Sequence, residues 1–330
     1  MYTDEDLVSA VQAGVLSDES AAAFRSHVAH LRKAPAVDEE HFRLITGFND
    51  LFVVVACALL LVAVGWIGST VADWLGAALV AAAAWPLAEF FTRRRRMALP
   101  SIVLLLAFVA GVFMAGYLLL PQKALFIGIA GAVAAAAAWF HWLRFKVPIT
   151  VAAGVAAFVM GSIALLFAAI PSAPEWLSAI ELVAGIAVFA VAMRWDASDR
   201  LRQTRRSDVA FWLHLLAAPL LVHPVFSSLG VFNEGSDVWH AFAVFVLYVF
   251  IALASLSIDR RALMLSALVY VLYAFTALLK QYGVVSLSFA LTALAIGSAL
   301  LLLSAFWHSS RAAVVRLYPR GLQERLPPLR

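Results

Sequence analysis

From about residue 50 the chain settles into apolar runs of about 20 residues, parted by short polar breaks. That is the length a helix needs to cross about 30 Å of hydrocarbon at about 1.5 Å per residue. Ten such runs can be traced, at roughly 50–68, 71–91, 101–120, 124–142, 149–170, 176–194, 208–226, 237–257, 262–279 and 284–307. The pattern predicts an all-α, polytopic transmembrane bundle of about ten spans. The breaks at Gly68-Ser69-Thr70 and Pro121-Gln122-Lys123 are short enough to hide a re-entrant hairpin in place of two full spans.

The chain ahead of these runs has a different pattern. Residues 1–49 read as a helical hairpin and a linker. Thr3 with Asp6 makes a start resembling a capping box, and Gly14 makes a stop. Ser17, followed by Asp18 and Glu19, restarts a helix that runs to about Arg32. Leu7, Val8, Val11, Phe24, Val28 and Leu31 are placed to share a small apolar face. Residues 308–330 form a basic tail, with Val314, Val315, Leu317 and Leu322 set among arginines and with Pro319 and Gly321 limiting any helix. The N-terminal residues carry no basic n-region followed by an apolar run, so the first span is expected to serve as its own uncleaved insertion signal.

Composition agrees with the pattern. The chain is 64% hydrophobic and only 13% charged, about half the charge of a soluble domain. Its single cysteine, Cys57, lies in the first apolar run and packs as a small hydrophobe. The net charge of +4 is explained by topology rather than by nucleic acid. With the N-terminus in the cytoplasm, all of the 24 basic residues except Lys123 and Lys280 fall on the cytoplasmic side. They include the runs Arg93–Arg96 and Arg200–Arg206, which would lie against anionic lipid headgroups. This asymmetry follows the positive-inside rule and places both termini in the cytoplasm.

Ionisable groups inside apolar runs are costly, and each one raises a functional question. Glu181 lies in the sixth run, His214 and His223 in the seventh, and His240 in the eighth. Glu181, His223 and His240 all sit within about two turns of the expected outer boundary, which makes them the candidate binding site. Two imidazoles and a carboxylate suit a divalent metal or a proton. Against a metal stand the absence of HExxH and of paired cysteines. The bland alternative is three interfacial residues, each bonded to its own neighbour. Glu89 has an ion-pair partner four residues on, in Arg93. Asp73 and Asp208 lie where helix caps fall. No catalytic constellation and no cofactor motif is present, so the sequence does not point to an enzyme.

Ten spans divide into five and five, and a duplicated five-span unit must insert in opposite orientations. The halves would be 50–170 and 176–307, with Pro86 and Pro219 at corresponding positions. Each proline frees a backbone carbonyl inside a span. Interrupted helices at matching positions point towards a transport site, although prolines are common in membrane helices in any case.

The hairpin phrase LVSAVQAGVLSDESAAAFRSHV and the run of spans opening at GFNDLFVVVA resemble bacterial multi-pass membrane proteins grouped as domain of unknown function 2157. The resemblance implies the same layout in a bacterial inner membrane, and it carries no activity and no site residues. Three functions stay open: a secondary transporter or permease for lipid or small molecules; a non-transporting sensor, scaffold or assembly factor acting through the hairpin; and, third, a membrane enzyme using the outer histidines. Scarcity of charge inside the spans favours the second. Neither substrate nor protein partners can be read from the residues.

Overall fold

A computed structural model describes residues 4–32, 48–199, 204–228, 238–281, 288–323 and 326. Every element in it is helical. Helices α1 (Asp4–Gln12) and α2 (Asp18–Arg32) make one compact unit. The Ser20 amide donates to the Ser17 hydroxyl at 3.1 Å, the expected N-cap of α2. Gly14 adopts a left-handed φ of 71° at the stop of α1. The expected apolar face is only partly formed. Ala21 is buried and Leu7 and Val11 are half-buried, but Val8 and Phe24 stay exposed. Two short helices have too few apolar side chains to cover one another. Thr3 and the side chains of Val28 and Leu31 lie outside the described residues.

The second unit begins with α3 (Phe48–Ser69), α4 (Asp73–Ala88), α5 (Ala98–Leu119), α6 (Ala124–Phe145) and α7 (Ile149–Ala169). A short 3-10 turn then leads into α8 (Leu177–Ala197), α9 (Arg205–Ser228), α10 (Val238–Ile258), α11 (Ala262–Gln281) and α12 (Ser288–Ala305). These ten helices fall on the ten apolar runs. Among the described residues, seven of them, α3 to α9, are long and apolar enough to cross a membrane. An eighth span results if α12 and α13 (Trp307–Arg316), bent by 75° between Ala305 and Trp307, count as one. Within α10 and α11, Phe242–Ile258 and Ser266–Thr276 form shorter apolar stretches. A last turn, α14 (Arg320–Gln323), closes the described chain.

The outer surface of the bundle is apolar. On α3, Phe52, Leu59, Val62, Trp66 and Ile67 are each about two-thirds or more exposed. Water does not tolerate a continuous apolar face of that size, and a bilayer does. Inside, small residues set the spacing. A Cβ on Gly131 would lie 2.7 Å from the Gly161 Cα, so α6 and α7 touch backbone to backbone. Gly76 on α4 approaches α3 in the same way, where a Cβ would meet the Gly65 carbonyl at 2.5 Å.

The helix α9 is the central one. Half of its apolar stretch is buried, against 33% or less for each of the other six. Its Val209, Leu213 and Ala217 pack with Ala152 of α7 and with Val188 and Ala192 of α8. Further along, Val222 and Phe226 pack with Val244 of α10 and with Ala267, Val271 and Ala274 of α11. It touches both the earlier and the later parts of the bundle.

Candidate functional site

Both expected interruptions lie inside helices. Pro86 is in the last turn of α4, and the helix then widens into a π segment, Glu89–Arg94, in which the Arg95 amide donates five residues back to the Phe90 carbonyl at 3.0 Å. Glu89 accepts from Arg93 at 3.4 Å, as its spacing suggests, and from Arg144 of α6 at 2.6 Å, a partner its spacing does not reveal. Pro219 lies mid-helix in α9, with a second proline, Pro224, after it. Beside Pro219, Gly185 lets α8 come close, since a Cβ there would sit 2.8 Å from the Leu220 backbone.

At the end of the bundle away from the basic loops, His223 is exposed and shares a 2.7 Å hydrogen bond with the Tyr270 hydroxyl of α11. Glu181 on α8 is half-buried and acts electrostatically on the same hydroxyl. Tyr270 thus bonds to one of the three residues singled out from sequence and lies within electrostatic reach of a second. The third, His240, lies on α10, but its side chain is outside the described residues. Among the described residues, no group of three or more His, Cys, Asp or Glu is placed to hold a metal ion.

If Glu181, Tyr270 and His223 act as one unit, their substitutions must couple. Glu181→Gln combined with His223→Gln is expected to cost clearly less than the sum of the two single changes. Tyr270→Phe alone is expected to cost about 0.5–2 kcal/mol, the range of a hydrogen bond between membrane helices. Unfolding of the detergent-solubilised protein reads all four values, and strict additivity would count against a shared site.

The larger polar cluster is at the basic end. Arg260, in the turn between α10 and α11, is 1% exposed. Its guanidinium donates to both carboxylate oxygens of Asp196 on α8, at 2.6 and 3.3 Å, and to the Ser207 carbonyl on α9 at 3.2 Å. Asp196 is itself 6% exposed. The His214 Nε2 on α9 lies 3.8 Å from the same carboxylate, and the imidazole is fully buried with Phe189 edge-on at 5.3 Å. Two helices and a turn therefore meet at one carboxylate.

The preceding residue faces other partners. Asp259 has a left-handed φ of 58°, and the Ser255 hydroxyl holds the turn by donating to the Arg260 carbonyl. The buried Asp259 carboxylate accepts from the Trp307 indole N–H at 2.9 Å and lies 3.5 Å from Arg311 Nε. Arg261 stacks over the Trp307 ring at 4.8 Å. Asp259 thus fastens α13 to the turn, while Arg260 fastens the turn to α8 and α9.

No family model matches the chain, and no curated protein or solved structure matches it. The functional reading therefore rests on this geometry alone.

No sequence pattern marks Asp196, Asp259 or Arg260 as members of one cluster. Arg260 and Arg261 count simply among the basic residues of the cytoplasmic side, and Arg260 is buried. A permanent charge is buried at a span end only when a carboxylate meets it, and Asp196 does so from 64 residues upstream. His214, one of the ionisable residues of the seventh apolar run, sits in the protein interior. The available signal was the carboxylate at the last turn of α8, where a cation suits the helix dipole better.

Proposed function

We propose that the chain is a ten-span protein of the bacterial inner membrane, with its basic end in the cytoplasm, acting as a secondary transporter or permease for a small solute. The observation that supports this reading is the position of α9. The most buried span carries Pro219 near its middle and Pro224 nearer its end, and polar contacts hold it to different partners on either side of Pro219. On the basic side, Ser207 and His214 meet Arg260 and Asp196; beyond Pro219, His223 meets Tyr270. Prolines remove internal hydrogen bonds, so α9 can bend there at low cost. A helix that bends between two polar latches opens one end of the bundle while the other stays closed, which is alternating access. Pro86 and its π segment mark α4 as the counterpart in an inverted half. The basic runs hold the cytoplasmic face against anionic lipid.

A second reading, a sensor or scaffold acting through the hairpin, is favoured by one observation: Val8, Val15 and Phe24 are exposed on the α1–α2 unit.

Cysteine accessibility separates the two without a known substrate. In a Cys57→Ala background, Ala217→Cys lies fully buried between the latches. Breaking the basic-end latch with Arg260→Gln is expected to raise its labelling by an impermeant maleimide, applied from the basic side, by about tenfold or more, as a shift of about 1.4 kcal/mol between closed and open states requires. Leu105→Cys, buried in the α5 core, is the control and stays unreactive unless the protein unfolds. An unchanged rate at Ala217→Cys in folded protein would show a static bundle and favour the second reading.

A further inference from the structure

We propose that Asp196, His214 and Arg260 form a proton-binding site, in which His214 takes up a proton and then competes with Arg260 for the Asp196 carboxylate. The proposal deepens the transporter reading by naming its coupling ion, and proton binding itself does not depend on solute flux.

The argument begins with charge. Asp196 and Arg260 neutralise one another in a site almost closed to water, and their contact is two-pronged. An uncharged imidazole placed 3.8 Å away leaves that balance intact. Imidazole is the side chain whose ordinary titration falls in the physiological range. A proton from water that adds to the lone pair of an imidazole nitrogen leaves two cations facing one carboxylate. The cluster then holds an excess positive charge in a poorly solvated place, and one cation must leave.

The geometry decides which one leaves. His214 lies nine residues into α9, about 14 Å along the helix, and is fully buried with Phe189 of α8 edge-on to it. Arg260 lies in a turn at the end of the bundle, with a long flexible stem that reaches the headgroup region. Arg260 therefore departs, its bond to the Ser207 carbonyl breaks, and the α10–α11 turn separates from α8 and α9. Proton uptake opens the basic end.

The neighbouring charges fit this sequence. The α7 helix, which packs on α9, contributes no ionisable side chain. From α8 come Asp196 and, two residues earlier, the exposed Arg194. The turn contributes Arg260, Arg261 over Trp307, and Asp259, whose carboxylate is taken by Trp307 and Arg311. On α9 itself, Arg205, Arg206 and Asp208 lie one and a half to two and a half turns away towards the basic end. Asp196 is thus the carboxylate placed to receive a charged His214. The other fully buried imidazole, His141, is packed among Trp85, Phe108 and Phe145, with Thr150 at 3.4 Å and no carboxylate in those contacts. It serves as the internal control.

The test uses the full chain in proteoliposomes, with Cys57→Ala and Ala217→Cys, labelled from the basic side between pH 5 and 8. Rates are divided by that of the exposed Ser198→Cys at the same pH, which removes the pH dependence of the thiol itself. The normalised rate is expected to rise about tenfold towards pH 5. His214→Gln is expected to flatten the profile at the slow level, while His141→Gln leaves it unchanged. If His214→Gln does not fold, His214→Phe keeps a ring against Phe189 and is read with the same expectation. A pH profile that survives both His214 variants, or moves with His141→Gln, overturns the proposal. Labelling that responds to Arg260→Gln but not to pH overturns the proton site and leaves the transporter reading standing; labelling that responds to neither overturns both.

Discussion

Replacing Arg260 with glutamine is expected to lower the unfolding free energy of the solubilised protein by about 3–5 kcal/mol, the cost of leaving one member of a buried ion pair unpaired. The size follows from burial. Asp196 and Arg260 are 6% and 1% exposed, so solvent cannot replace the lost partner. The neutral side chain also leaves the Ser207 carbonyl without its guanidinium donor. Asp196→Asn alone should cost a similar amount, because it leaves the guanidinium uncompensated. The double variant, Asp196→Asn with Arg260→Gln, removes both charges and is expected to recover at least half of the single loss. A reversible denaturant titration reads all three. A double variant no better than the sum of the singles would mean that the pair is not acting as a pair.

The second large effect concerns helix spacing. Gly131→Val places a branched side chain where a single Cβ already meets the Gly161 Cα at 2.7 Å and the Ala157 carbonyl at 3.0 Å. Both obstacles are backbone, so no rotamer relieves them and α6 must move away from α7. The expected loss is about 3 kcal/mol, the upper end of what overpacking costs in a filled core. Gly297→Ala on α12 is the matched opposite. Nothing lies within 4 Å of its Cβ, so the better helix propensity of alanine is expected to leave stability unchanged or raise it by up to about 1 kcal/mol. Thermal unfolding of the two variants side by side is the measurement, and equal losses would refute the packing account.

Helix positions were legible because a bilayer imposes a simple rule: about 20 apolar residues in a row make a span. The close approach at Gly128, Gly131 and Gly161 follows a general rule, since small residues grouped in a span mark where helices touch. The i,i+4 pair of Glu89 and Arg93 could be read from spacing, whereas the shorter bond from Arg144 could not, because it spans 55 residues. The basic-end cluster was hidden for the same reason and for a second one. The positive-inside rule assigns each arginine at a span end to the membrane surface, and it has no means of marking the one that turns inward. Arg260 and Arg261 are neighbours in sequence, yet one is buried on Asp196 and the other lies over Trp307. The left-handed turn at Asp259 separates them, and no residue pattern announces it, since Asp adopts that conformation only occasionally. The break at Phe306 was missed because Trp307 is apolar and continues the hydrophobic run; its indole is needed instead for the Asp259 bond. Of the outer residues, Glu181 and His223 stand out for their cost in hydrocarbon, whereas Tyr270, the partner of His223, carries no charge to mark it.

The central claim is that the spans thread the membrane with the basic end on one side, and topology reporters test it most directly. Fusions after Arg330 and within residues 195–206 are expected to report a cytoplasmic location, and one within residues 227–236 a location outside, since all but Lys123 and Lys280 of the 24 basic residues then face the cytoplasm. A periplasmic signal from the fusion after Arg330 would make the number of spans odd and contradict the account.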